Sequence, residues 1–175
     1  MKHIAIFLPL VLLAAIGVAQ DQPVIEPTVA EQPEEASTAA AHQAATTSPL
    51  DELAWMVGTW VDQGEDSKIS TTCSWKMNRK FLMRSFRVTI EDQITLAGNQ
   101  VIGWDPIAGQ IRSWTFDTEG GIGQGRWIRD GNRCLVKKSF VLASGERASA
   151  INIITYVDQD TMRWQSTKRE VAGEL

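Results

Sequence analysis

Residues 110–142 read QIRSWTFD / TEGG / IGQGRWIR / DG / NRCLVKKSFVL, three runs rich in aromatic and β-branched side chains parted by two clusters of Asp, Glu and Gly. Runs of this length broken by such clusters are the signature of an antiparallel β meander. The same unit extends in both directions. Turn clusters at Gly64-Glu65-Asp66, Asn78-Arg79, Glu91-Asp92-Gln93, Asp105 to Gly109, Ser144-Gly145-Glu146 and Asp158-Gln159-Asp160 complete a set of eight. They predict nine strands at 58–62, 68–77, 80–90, 94–104, 110–117, 122–129, 132–142, 147–157 and 161–170. One helix is expected before them: Ser48 caps it, Pro49 fits its first turn, Asp51 and Glu52 suit its positive end, and Leu53, Trp55 and Met56 give it an apolar side. A meander without crossover helices has two sheet edges to hide, and curling until the first and last strands pair removes both. The expected fold is therefore all-β, an up-and-down barrel of about nine or ten strands with one short N-terminal helix; a β-sandwich is the alternative.

Outside the meander the composition changes. Lys2 and His3 precede an almost wholly apolar run, Ile4 to Val18, and Gly17-Val18-Ala19 supplies the small residues a signal peptidase needs. Residues 1–19 read as an export signal cut near Ala19, too short for a spanning helix, so no stable membrane insertion is expected after cleavage. The mature protein is expected in the periplasm or outside the cell. Residues 20–49 are rich in Ala, Thr, Ser, Pro, Glu and Gln and hold no aromatic residue, which reads as a disordered arm. Its five carboxylates, Asp21, Glu26, Glu31, Glu34 and Glu35, face no Lys or Arg. Setting those five and Lys2 aside leaves 16 acidic and 16 basic side chains in a third segment, the domain 50–175. The overall charge of -4 gives no basic surface of the kind that neutralises phosphates, so nucleic acid is not an expected partner.

The helix followed by Gly58-Thr59-Trp60 resembles the glycine-x-tryptophan opening of lipocalins and the wider calycin superfamily. The strand count is similar to that of fatty-acid-binding and nitrobindin-like barrels. The longer pattern is Leu53 to Trp60, Cys73-Ser74-Trp75, Ile102-Gly103-Trp104-Asp105-Pro106, Ile111 to Asp117 and Gly120-Gly121. It resembles secreted bacterial domains often found behind a SnoaL-like half, and here the acidic arm stands where that half would be. The resemblance implies a calycin-like barrel whose Trp60 plugs the base against a basic residue of the last strand, Arg169 or Lys168. It also implies a closing strand after the ninth run, and the sequence reaches Leu175 without one.

The residue inventory narrows the chemistry. The two histidines, His3 and His42, lie outside 50–175, so histidine relays, histidine-held zinc and a histidine-held haem have no ligand there. No catalytic residue, metal or cofactor is expected. Asp105 reads as a turn support and Asp117 as a strand end. Lys80, Lys137, Lys138 and Lys168 read as solvated strand lysines. Cys73 and Cys134 fall in strands that are not neighbours, and two buried free thiols are expected rather than a bridge.

All seven tryptophans lie in 50–175. Core filling explains Trp60; a cavity wall is the alternative for others. Alternation puts Arg112, Trp114 and Phe116 on one face, and Leu82, Arg84, Phe86, Val88 and Ile90 on one face of another strand. If those faces point inward, Arg84 and Arg112 enter the barrel and each needs a carboxylate or an anionic ligand, Asp105 being the internal candidate for Arg112. In fatty-acid-binding barrels, which the chain resembles, interior arginines hold a lipid carboxylate. The expected function is a secreted binding module for a small apolar or amphipathic molecule, anionic ones included, held by Arg84, Phe86, Arg112, Trp114 and Phe116, with Gly58, Trp60 and Arg169 as structural residues. A filled barrel that serves structure or protein contacts is the alternative, and an isomerase-related enzyme built on Asp and Arg is the third reading.

Overall fold

A computed structural model describes residues 2–7 and 48–173, and nothing is described of the side chains of 4–7. The predicted arm, residues 20–49, lies outside the described residues except for its last two, and so does the segment 8–19 of the predicted signal. Ten strands form one closed barrel: β1 (Lys2–Phe7), β2 (Gly58–Gln63), β3 (Ser67–Lys76), β4 (Phe81–Ile90), β5 (Gln93–Asp105), β6 (Gln110–Asp117), β7 (Ile122–Asp130), β8 (Arg133–Val141), β9 (Arg147–Tyr156) and β10 (Thr161–Val171). β2 to β10 are the predicted meander, each strand antiparallel to the next, with boundaries within one residue of the sequence reading. The agreement follows from turn chemistry. Gly109, Gly120, Gly131 and Gly145 all take positive φ in the clusters that punctuate the sequence.

Closure differs from expectation. The first and last strands of the meander do not pair with each other. β1 lies between them, parallel to both, and supplies the closing strand from the N-terminal side of the chain.

Pro49–Met56 forms a 3-10 helix. Ser48 accepts from the Leu50 amide at 3.3 Å while the Asp51 carboxylate accepts from the Ser48 amide at 2.9 Å, a reciprocal cap on the first turn. Its Leu50, Leu53 and Met56 are buried, and they pack with Trp60, Leu82, Ile102, Ile111, Trp127, Val136, Ile154 and Met162 into one apolar core. The helix thus closes one end of the barrel, called here the lower end. Trp60 is fully buried and its indole N–H donates to the Met56 carbonyl at 2.8 Å. The ring's cationic neighbour is Lys2, 4.6 Å from its centroid. Arg169 and Lys168 are exposed within the irregularity of β10 between Thr167 and Glu170, so the expected stacking partner is replaced by a residue of β1. Cys73 and Cys134 are buried free thiols.

Candidate functional site

Directly paired residues of antiparallel neighbours share a face of the sheet. One inward row therefore runs Cys73, Arg84, Gln100, Thr115, Gly123, Phe140, and a second runs Thr71, Phe86, Gly98, Asp117. Leu82, Ile102, Ser113, Gly125 and Lys138 are paired across a third. Above the apolar base the wall is thus mostly polar and carries two cations, Arg84 and Lys138.

Arg84 donates through Nε to Thr71 Oγ1 at 2.8 Å, and the Thr71 hydroxyl in turn donates to the Ser85 carbonyl at 3.0 Å. Burial pulls the guanidinium below its ordinary pKa, only slightly countered by the Cys73 sulfur. Burial also pushes the Cys73 thiol up, which keeps it neutral. The Lys138 ammonium stands 4.7 Å from the Phe140 ring centroid and has no hydrogen-bond acceptor among the described residues. Desolvation first, and the Arg84 charge second, bring its pKa from 10.5 to about 8, against the opposing pull of Asp117. None of the three ion pairs among the described residues includes Arg84 or Lys138. Asp117 Oδ1 is occupied by the Glu119 and Gly121 amides at 3.1 and 2.8 Å.

One buried polar atom beside these cations has no partner among the described residues. Gln100 is 2% exposed; its Nε2 donates to Ser113 Oγ at 3.2 Å and Thr115 Oγ1 at 3.1 Å, while Oε1 is unpaired. Turning the amide over exchanges the roles of its two ends and still leaves one unpaired. The Trp164 indole N–H is also buried without a partner among the described residues, but it packs against the apolar core. An unsatisfied buried polar group costs about 1–3 kcal/mol, so the one at Gln100, next to two cations outside any ion pair among the described residues, is an expensive arrangement for an idle core.

The structure divides the sequence-predicted site. Arg84 and Phe86 point inward as expected; the Phe86 ring lies over Gly98, where a Cβ would come within 2.5 Å of it. Arg112, Trp114 and Phe116 lie on the outer face. Their neighbours Ile111, Ser113 and Thr115 are the buried residues of β6, and Phe116 is 50% exposed. The reason is local crowding where β6 and β7 pair. The inner wall of β7 presents Gly123 and Gly125, and a Cβ at 125 would stand 2.5 Å from Ser113 Oγ, which already accepts from Trp127 Nε1 at 3.0 Å. Arg112 instead pairs with Asp105 at 3.2 Å and with Gln124 at 3.0 Å, and lies 5.7 Å from the Trp114 ring. Asp105 also accepts from the Ile107 and Ala108 amides, which hold its carboxyl below the usual range together with Arg112.

Gln100 and Phe140 escaped the sequence reading, and Lys138, read there as a solvated strand lysine, instead faces the interior because it pairs with Gly125 in an inward row. A signal for Lys138 was present, since Cys134, Val136, Lys138 and Phe140 alternate onto the inner face of β8. Two open grooves are lined by residues of both faces. One, of about 580 Å³, runs beside Ile122, Gln124, Phe140, Val141 and Glu170; the other, of about 430 Å³, beside Ser85, Phe86, Asn99, Phe116 and Asp117. Among the described residues no three His, Cys, Asp or Glu side chains cluster as metal ligands would. No protein-family model matches the chain, and no curated protein sequence matches it.

Proposed function

We propose that the protein is an exported barrel that binds a small amphipathic anion, head inward, between Arg84 and Lys138. The observation that carries this reading is a pair of inward cations with no ion-pair partner among the described residues. A carboxylate entering there would meet two positive groups in a poorly solvated setting, where charge-assisted hydrogen bonds are strongest. The half-buried Phe86 and Phe140 rings offer apolar contact to the remainder of such a molecule. The resemblance to calycin barrels supports the same class of ligand. Decanoate and decanol separate charge from chain: decanoate is expected to change tryptophan emission saturably, decanol at least about tenfold more weakly. The double variant Arg84→Met, Lys138→Met is expected to abolish the difference. Emission indifferent to both probes rejects the reading.

The exposed Phe116, the Trp114 near it and the groove that Phe116 lines favour a second reading, a barrel that docks another protein on its outer face. That reading predicts a partner whose capture is lost in Phe116→Ser and kept in Arg84→Met. Export is tested by intact mass: material from the periplasm or medium should begin near Gln20.

A further inference from the structure

The barrel depends on a strand that the sequence assigns to another fate. Nine antiparallel strands alternate in direction, so the first and ninth of them, β2 and β10, run the same way. β1 is wedged between them, parallel to both. His3 to Phe7 pair with Thr161 to Gln165 on β10, while Lys2 and His3 pair with Trp60 and Val61 on β2. One side chain fixes the register: Lys2 Nζ donates to the Val57 carbonyl at 3.2 Å and stands over Trp60. Gly58, with φ +125°, takes a backbone conformation that favours glycine and lies against this side chain, where a Cβ would make ordinary contact with Lys2 Nζ at 3.5 Å. The His3 amide donates to the Asp160 carbonyl at 2.7 Å. Yet Lys2 and His3 also open the stretch that reads as a signal cut near Ala19, and a discarded segment cannot close a barrel.

We propose that the seam between β2 and β10 is a strand-acceptor site, and that after cleavage it takes a parallel strand from a separate polypeptide carrying a basic residue where Lys2 stands. Such an occupant is held mainly by main-chain hydrogen bonds, which tolerate many sequences. Its selectivity comes from the single cationic position over Trp60 and the Val57 carbonyl. Two unpaired parallel edges are the feature that recruits it.

The test uses the full chain, folded intact, with a protease recognition sequence inserted between Gln20 and Asp21 and cut only after folding. Native mass spectrometry should then find the N-terminal fragment still on the barrel. A labelled peptide of residues 1–10 should displace it one for one, with a saturable rise in anisotropy, and a Lys2→Glu peptide should bind about tenfold more weakly. Amide protection over Thr161–Gln165 should fall when the fragment is removed and return with the peptide. Immediate loss of the fragment with protection over Thr161–Gln165 unchanged would overturn the proposal, because β2 and β10 would then close by themselves. If the cut chain unfolds when stripped of its fragment, rescue by added peptide supports the proposal and failure of rescue overturns it.

Discussion

The lower and upper halves of the barrel interior are built from the same nine-strand meander and solve opposite problems. Below, the 3-10 helix delivers Leu50, Leu53 and Met56 onto Trp60, Leu82 and Ile102, each at most 1% exposed, so every side chain has apolar neighbours. Above, Thr71, Gln100 and Thr115 line the wall around Arg84 and Lys138, and Gln100 Oε1 stays without a partner among the described residues. The lower half secures the fold at the expense of any free volume; the upper half accepts uncompensated charge, which lowers stability and leaves donors available. A binding site belongs in the second kind of environment.

The sharpest break of the contrast is at the base. Trp60→Ala removes the largest fully buried side chain together with its hydrogen bond to Met56, and should cost about 3–5 kcal/mol, read as a drop in the urea midpoint. If the upper half held the fold together, this variant would instead melt near the parent.

Glycine substitutions sharpen the picture of the upper wall. A Cβ at Gly98 meets the Phe116 carbonyl as well as the Phe86 ring, so backbone must move and Gly98→Ala should cost about 1–3 kcal/mol. At Gly123 the nearest atoms all belong to the Phe140 ring, a side chain that can shift where backbone cannot, and Gly123→Ala should cost less than half as much in the same denaturation series. Equal losses would mean that Phe140 is held as firmly as backbone.

How far the sequence could have led to this point depends on which physical signal is asked for. Turn chemistry is local, so the nine strands and the Ser48 cap could be read from Gly, Asn, Asp and Pro alone. Facing is a collective property. In β6 large residues at 112, 114 and 116 suggested an inward face, but on the neighbouring strand β7 the space over Gly123 and Gly125 is taken by Phe140, Val136 and Ser113, and the small Ser113 and Thr115 are the residues of β6 that fit inside. The Gly-x-Gly-x-Trp pattern of β7 held that information, and it becomes legible once the β6–β7 register is known. Arg84 and Phe86 were found by their alternation with Leu82, and they fit inside because β4 pairs with small or polar partners, Thr71, Cys73, Gly98 and Gln100. The unpaired ends of Gln100 and Trp164 depend on angles that no residue pattern encodes.

Charge in the upper half should show as a pH dependence. Lys138 titrates near 8 in the folded protein and near 10.5 when unfolded, so below pH 8 the full cost of burying its charge is present. Between about pH 8 and 10.5 the unfolded state binds more protons, and parent stability rises relative to Lys138→Met. The variant should be more stable by about 1–2 kcal/mol at pH 7, less than the whole shift implies because water reaches this half-buried side chain. The gap should close toward pH 10.5, and denaturation midpoints at three pH values measure it. A gap independent of pH would assign the difference to packing.

The smallest effect is expected where the sequence placed a second anchor. Arg112→Ala, on the outer face, loses an ion pair to Asp105 whose two side chains are 27% and 20% exposed, worth below about 1 kcal/mol. Asp105 keeps its Ile107 and Ala108 amide bonds, so the turn should survive. Decanoate titration of this variant should match the parent while Arg84→Met falls away. Should Arg112→Ala lose decanoate as Arg84→Met does, the ligand would be binding outside, along the Trp114 and Phe116 face, and the division between a filled base and a receptive upper interior would no longer account for function.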